Sequence, residues 1–205
     1  MWRKTRNVDT PTVCAGVDPN RNWDANWSGP GASNNPCTQT YYGTSVFSES
    51  ECKAAADALV DIVPQAYADV HAYSQYWMFP YGYKSGKCES YDKLMAMSKE
   101  IVDAIQAVHR TRFVYGPINE VIYVASGSSA DYAYDTVGTV CSYAPELRDQ
   151  VFLAKLQKYS FKTRADMASF CHQSKSSQLL RKCGPVSLKW VITSLLVAVT
   201  PSRLK

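Results

Sequence analysis

Apolar strand-like runs alternate with helical stretches along the first 149 residues, and this alternation restricts the fold more than any other feature of the sequence. The pattern predicts strands at 12–18, 66–70, 75–81, 119–124 and 139–144. An alternating order of this kind is typical of an α/β sheet whose functional sites lie at the ends of strands. We therefore predict an α/β architecture with polar functional groups at one edge of the sheet.

Three helices are predicted between these strands. Ser48 and Glu51 have the spacing of a capping box, and Pro64 ends the helix that follows. The apolar face of this helix is formed by Cys52, Ala55, Leu59 and Ile62. A second, longer helix from about 91 to 109 is marked by Leu94, Met97, Ile101, Ile105 and Val108. A short third helix carries Tyr132 and Tyr134, and 24–45 should be a long polar loop.

Charge divides the chain near residue 150. Residues 1–150 carry 12 Lys and Arg against 17 Asp and Glu, whereas 151–205 carry 10 against one, so the net charges are −5 and +9. This contrast predicts an acidic domain over 1–149 and a basic tail over 150–205, disordered or loosely helical, of different origin or role. Such a tail is compatible with a nucleic-acid partner or with no evolved function, and we expect no nucleic-acid partner.

Neither a signal peptide nor a membrane span is expected. The first residues lack an apolar core run, and the apolar run 188–199 is shorter than the ~20 residues of a spanning helix. Seven cysteines are many for a cytosolic chain. Cys14 and Cys37 bracket a loop rich in Gly, Pro, Asn and Ser, where a crosslink removes loop entropy, and we predict that they form a disulfide.

Polar side chains follow several of the predicted strands. Arg21 suits bidentate capture of a carboxylate, and a loop salt bridge is the alternative. His71, at the end of an apolar strand, fits either a hydrogen-bonded core histidine or a ligand. Glu146 lies among apolar residues, which would raise its pKa toward that of a useful base, or it pairs with Arg148. Tyr123 is either a mobile phenol or a sheet-edge aromatic.

The order of these groups resembles one family. Asn-Arg-Asn-Trp at 20–23, His-Ala-Tyr-Ser-Gln at 71–75 and Pro-Glu-Leu-Arg-Asp at 145–149 are similar to zinc metallocarboxypeptidases of the pancreatic carboxypeptidase A and B type. The segments 1–6, 81–83 and 122–127 and the spacing of the first two cysteines also match. The resemblance implies a mixed twisted sheet with flanking helices, secretion, and zinc-dependent removal of C-terminal residues from peptides.

The resemblance also implies roles for individual residues. His71 matches one of the three zinc ligands of the family, which are two histidines and a glutamate. Glu146 matches the residue that activates the zinc-bound water. Arg3 matches the arginine that polarises the scissile carbonyl. These groups would together stabilise an oxyanion and move a proton.

A second set of matches concerns the substrate, which is a peptide with a free C-terminus. Asn20, Arg21 and Tyr123 match the groups that grip the terminal carboxylate, and Tyr73 matches a subsite aromatic. Ala130 falls at the base of the specificity pocket, where a B-type enzyme has an acid. An uncharged methyl group there implies a preference for apolar or aromatic C-terminal residues.

The sequence also departs from the family pattern. None of its three histidines begins a His-x-x-Glu motif, so one zinc ligand is present and two are expected to lie before Met1. The first strands of the family sheet are expected to be missing as well, which would turn a central strand into an edge. Pro145 replaces an ordinary apolar residue, and the match is expected to end near Gln150.

Three functions are consistent with this pattern. The first is a zinc carboxypeptidase of which this chain is an incomplete, inactive form. The second is a non-catalytic relative that binds peptide C-termini through Asn20, Arg21 and Tyr123. The third is a product of a faulty gene model, without function.

Overall fold

The structure, a computed structural model, describes residues 2–8 and 13–148. A 3-10 turn at Pro19–Arg21 comes first. The other elements are helix α1 (Ser50–Ile62), strands β1 (Ala66–Ala68) and β2 (Tyr76–Phe79), helix α2 (Tyr91–His109), strand β3 (Val114–Pro117), helices α3 (Ile118–Val121) and α4 (Ser129–Asp135), and strand β4 (Cys141–Glu146). The predicted basic tail and the apolar run 188–199 lie outside the described residues. Among the described residues, no helix is long and apolar enough to cross a bilayer.

The four strands form one mixed sheet in the order β1-β4-β2-β3. β1 pairs in parallel with β4, β2 pairs in parallel with β3, and β2 and β4 are antiparallel. Strands with both kinds of pairing and helices packed on them confirm the predicted α/β architecture.

Side chains that alternate along β2 and β4 cover both faces of the sheet, as the period of two requires. Phe79 packs on one face in a cluster of buried residues with Cys88, Leu94, Cys141 and Tyr143. Met78 packs on the other face with Ile118, Ala130 and Ala144. Helix α2 therefore covers the first face, and α3 and α4 cover the second.

Helix α1 packs beside α4 through an aromatic cluster. Trp23 and Tyr132 lie 5.4 Å apart between ring centroids, and Cys52 and Ala56 of α1 are buried against them. The predicted apolar face is only partly correct, because Ile62 is 53% exposed. The capping box is wrong: the N-cap residue is Glu49, its side chain makes no cap hydrogen bond, and Ser48 donates to the Glu49 carboxylate instead.

Two of the five predicted strands are wrong. Residues 13–18 form a loop and not a strand. Its backbone is hydrogen-bonded to other loops, for example through the Val17 carbonyl, which accepts from Thr5 N–H. Most of the predicted strand 119–124 is instead helix α3 and the turn after it, and the strand lies just before it at Val114–Pro117. Strand β3 ends in Gly116 and Pro117, which are both uncommon in strands, so the sequence pattern does not indicate a strand there. The proline is tolerated because β3 is at the edge of this sheet.

The other sequence expectations are met more closely. Helix α2 has the predicted limits, although Val108 is 50% exposed and does not join the core. Cys14 and Cys37 form the predicted disulfide, with Cα atoms 5.1 Å apart. The bond closes the chain on the loop between these residues, and the loop carries part of the site described below.

A buried aspartate holds α4 against the chain after β2. Asp131 is 0% exposed, and its carboxylate accepts from Gly82 N at 3.0 and 3.1 Å and from Ser128 Oγ at 3.0 Å. A Cβ on Gly82 would lie 3.0 Å from Asp131 Oδ2, so a larger residue there would have to displace the carboxylate by a few tenths of an ångström. Burial raises the pKa of Asp131 to about 6, and the charge of Asp135 adds to this, although the hydrogen bonds oppose it.

We expect this aspartate to make the protein less stable as pH rises from about 4 to about 7. The folded pKa of about 6 lies above the ordinary 3.8, so the stabilising contribution is complete below the ordinary value and is lost as pH rises through the folded value. The difference corresponds to about 3 kcal/mol. The free energy of unfolding of the natural chain and of Asp131→Asn is measured by urea unfolding, followed by tryptophan fluorescence, at about pH 4 and about pH 7. Between these pH values the natural chain should lose about 3 kcal/mol of stability relative to the variant.

The exposed Asp61 supplies the matched control for this experiment. Asp61→Asn also replaces a carboxyl by an amide but leaves Asp131 in place, so the pH dependence assigned to Asp131 should remain. Parallel profiles for the natural chain and Asp131→Asn would show that Asp131 does not titrate differently in the folded state.

Candidate active site

The turn that carries Asn20 and Arg21 is fixed by a buried aspartate. Asp18 is 1% exposed, and its Oδ1 accepts from Asn20 N at 3.1 Å. Its Oδ2 accepts from Nε and Nη2 of Arg3, each at 2.8 Å. A buried carboxylate needs such donors, because desolvation without them is costly. Asp18 therefore holds Arg3 next to the turn.

Arg21 is a buried cation, 3% exposed. Its Nε donates to the Gly31 carbonyl at 3.0 Å, its Nη1 to the Asn20 carbonyl at 2.7 Å, and its Nη2 to the Tyr123 hydroxyl at 3.4 Å. Among the described residues, no aspartate or glutamate forms an ion pair with it. The guanidinium is thus held in place by neutral oxygens, and a carboxylate would supply the missing charge.

Glycine is required where the long loop meets the end of the site. Gly31 has φ +80°, and a Cβ there would collide with the backbone carbonyl of Val124. Tyr123, which is 53% exposed, directly precedes Val124 in the sequence. The close approach of the two loops therefore aligns the Gly31 carbonyl and the Tyr123 hydroxyl on the same guanidinium.

The sheet brings His71 beside Glu146. Beyond the end of β1 the parallel pairing continues to a bridge between His71 and Glu146, the last residue of β4. His71 N donates to the Pro145 carbonyl and Leu147 N donates to the His71 carbonyl, each at 2.8 Å. The proline noted in the sequence thus contributes its carbonyl, and its missing N–H does not break this pairing.

Burial raises the pKa of the Glu146 carboxyl above its ordinary value, while the charges of His71 and Arg3 pull it down. The pKa of His71 is also raised: burial opposes protonation, but Asp69 and Glu146 outweigh it. Burial acts to raise the pKa of Asp69, yet His71, Ser129 and Asn20 together hold it below the ordinary value. Of the two acids beside His71, Glu146 therefore has a raised pKa and Asp69 a lowered pKa.

A polar network joins His71 to Asn20. Asp69 Oδ2 lies 2.8 Å from His71 Nε2 and accepts from Ser129 Oγ at 2.6 Å. Asn20 Nδ2 lies 3.0 Å from His71 Nε2, and Asn20 Oδ1 accepts from Ser129 N at 2.9 Å. The structure thus brings together two predicted site residues through two residues that the sequence did not single out.

Tyr73 and Ala130 lie outside this network. Tyr73 follows a cis peptide bond and is 41% exposed, and in the described part of the chain its side chain makes no hydrogen bond or ring contact with the groups above. Ala130 is 0% exposed, lies against Met78 and Ile118, and its carbonyl accepts from Ser142 Oγ at 2.8 Å.

Comparison with known proteins identifies the family. The zinc carboxypeptidase family model matches residues 1–167. Carboxypeptidase A2 of Mus musculus is 47% identical over 150 residues, covering 73% of this chain and 36% of the relative. Carboxypeptidase B of Homo sapiens is 44% identical over 151 residues, with the same coverage. The chain belongs to the zinc carboxypeptidase family, and it spans 36% of the length of these curated relatives.

Solved structures confirm the fold. Bovine thrombin-activatable fibrinolysis inhibitor, in complex with tick carboxypeptidase inhibitor, has a TM-score of 0.70 at 39% identity, covering 73% of this chain and 52% of that one. Carboxypeptidase A from Helicoverpa armigera has a TM-score of 0.67 at 30% identity, with coverage of 72% and 37%. The mixed sheet with flanking helices is therefore that of carboxypeptidases.

The family implies zinc, but the described residues do not fit a zinc centre by themselves. Among them, no group of three His, Cys, Asp or Glu side chains lies together in a way that could hold a metal ion. A catalytic zinc site uses three protein ligands. Asp69 engages Nε2 of His71, which leaves Nδ1 as the ring nitrogen that could bind a metal.

Asp18, Asp69 and Ser129 were missed by sequence reasoning. Asp18 could have been found, because an aspartate before Pro-Asn-Arg has the pattern of a capped turn. Asp69 and Ser129 had no such signal, since they are 60 residues apart and meet only in the folded chain.

The close approach at Gly31 can be measured against a second glycine. Gly86 has φ +101° with nothing within 4 Å of an added Cβ, so Gly86→Ala carries the backbone strain alone, about 1 kcal/mol. Gly31→Ala adds the collision with Val124, and we expect it to lower the free energy of unfolding by at least about 1 kcal/mol more. Urea unfolding measures both, and equal losses would contradict the close approach.

Proposed function

We propose that this chain carries the carboxylate-binding part of a zinc carboxypeptidase site and binds the free C-termini of peptides. The observation that carries the proposal is Arg21, a buried guanidinium held by neutral oxygens without an acidic partner in the described part of the chain. An uncompensated buried charge is unfavourable, and a peptide carboxylate would compensate it in a bidentate geometry.

In this proposal Arg21 supplies the charge, and Asn20 and Tyr123 flank the bound carboxylate. Tyr123 is 53% exposed and lies 3.4 Å from Arg21 Nη2, so its hydroxyl can turn to a ligand at little cost. Arg3 is 42% exposed and would face the carbonyl next to the C-terminal residue. Glu146, whose pKa is raised mainly by burial, would accept the proton in hydrolysis by a complete enzyme.

By itself the chain is proposed to bind rather than to cleave. The support is the zinc ligand set, of which the described residues supply only His71. We infer that the family function, zinc-dependent removal of apolar or aromatic C-terminal residues, belongs to a protein with the full ligand set. The disulfide between Cys14 and Cys37 supports secretion, because such bonds persist in oxidising compartments.

Binding should depend on the free carboxylate. A fluorescent peptide ending in Phe and the same peptide with an amidated C-terminus are titrated into the 205-residue chain and followed by anisotropy. Amidation should weaken binding at least about tenfold, because a charge-assisted pair contributes about 1.5–3 kcal/mol. Arg21→Met should bind the two peptides equally.

The exposed Arg112 provides the control for this titration, since Arg112→Met removes a cation elsewhere on the surface. It should leave the preference for the free carboxylate unchanged. Equal binding of the two peptides by the natural chain would sink the proposal, and no binding of either would favour a product without function.

Hydrolysis should be absent. The natural chain, produced in an oxidising host and incubated with added zinc and a Phe-ending peptide, should give no shortened product by mass spectrometry, because a catalytic zinc needs three protein ligands. Turnover that disappears in Glu146→Gln would contradict the binding-only assignment and favour an active enzyme.

Specificity should follow from Ala130. Its surroundings are apolar, so the natural chain should bind a Phe-ending peptide more tightly than an Arg-ending one. Ala130→Asp should move the ratio toward the Arg-ending peptide by about tenfold or more, because a cation would gain a partner. Ala130→Asn is the matched neutral control and should not do so. Preference of the natural chain for Arg would contradict the A-type assignment.

A further inference from the structure

Asp69 lies at the centre of the network that links His71 to Asn20. It follows β1 directly and stands two residues before His71. The side chains of His71 and Asp69 are 24% and 21% exposed, so water screens them only in part. Contacts in such a setting are stronger than at the surface.

The distances decide which ring nitrogen of His71 carries a proton. Nε2 of His71 lies 2.8 Å from Oδ2 of Asp69. The same oxygen accepts from Ser129 Oγ at 2.6 Å, so it acts as a hydrogen-bond acceptor. An unprotonated Nε2 would bring two lone pairs together at this distance, which is repulsive. Nε2 therefore carries the hydrogen, and Nδ1 keeps the lone pair when the ring is neutral.

The orientation of Asn20 follows from the same atom. Ser129 N donates to Asn20 Oδ1 at 2.9 Å, so the amide nitrogen Nδ2 points the other way, toward His71. Nδ2 cannot donate to a ring nitrogen that is itself protonated. Nδ2 therefore needs another acceptor, and the Asp69 carboxylate, whose Oδ2 lies 2.8 Å from the same ring nitrogen, is in position to supply it. His71 and Ser129 thus both donate to this carboxylate, and the amide of Asn20 lies beside them.

We propose that Asp69 is a positioning residue of the candidate active site, which fixes the Nε2–H form of His71 and the side-chain orientation of Asn20. It acts on both through hydrogen bonds and does not touch the peptide. The proposal concerns the site named above, but its readouts need no peptide, so its failure is distinguishable from failure of the proposed function.

The test is NMR of the full 205-residue chain labelled with ¹⁵N at histidine and, separately, at asparagine. The natural chain should show a slowly exchanging Nε2–H signal that is absent from His71→Gln, and a protected side-chain amide signal that is absent from Asn20→Ala. Asp69→Ala should lose both protected signals while far-UV circular dichroism shows a folded chain. A purely structural role for Asp69 would change the midpoint of unfolding and leave the signals in place.

Ser129→Ala is the matched control, because it removes a donor from Asp69 and leaves the acceptor of His71 and the backbone donor of Asn20. Both signals should persist in it. If Asp69→Ala does not fold, Asp69→Asn replaces it: a neutral acceptor of the same shape should move the His71 signal upfield. The proposal is overturned if the natural chain lacks the Nε2–H signal, if folded Asp69→Ala keeps it, or if Asp69→Asn leaves its position unchanged.

Discussion

The parallel pairing of β1 with β4 is the constraint on which the candidate active site depends. β1 has three residues and β4 has six, and the pairing continues past β1 to the bridge between His71 and Glu146. Because the register fixes which side chains are neighbours, a slip of one residue would move the side chain of His71 to the opposite face of the sheet. Helix α4 packs against β4 and places Ser129 at the same edge, where it reaches Asp69.

Buried charge organises the rest of the site. Asp18 is satisfied by Arg3 and by the turn it caps, and Asp69 is satisfied by His71 and Ser129. Arg21 differs from both, because its partners in the described part of the chain are neutral oxygens. A folded chain tolerates a buried guanidinium when most of its N–H donors are hydrogen-bonded, and a bound anion would compensate its charge. This difference distinguishes Asp18 and Asp69, which hold the site together, from Arg21, to which the proposed function assigns the ligand.

The errors of sequence reasoning have physical causes. The run 12–18 has the apolar character of a strand, but loop-to-loop hydrogen bonds bury Val17 without a ladder. Strand β3 ends in Gly-Pro, which weakens any strand pattern, so the prediction moved to the apolar residues of α3. Helix α2 was placed correctly because its long apolar period of 3.6 survives local exceptions such as the exposed Val108.

The sequence by itself determined the family, the mixed α/β sheet and the disulfide, because ordered motifs and a Gly-rich loop between two cysteines are readable along the chain. It also named Arg21, His71 and Glu146, since they stand in the ordered motifs that resemble the family. Only the tertiary structure decided what surrounds them. Asp69 and Ser129, like Gly31 and Tyr123, are distant in sequence and acquire their roles through contacts. Burial, register and hydrogen-bond geometry depend on how distant segments pack, and no local pattern encodes them.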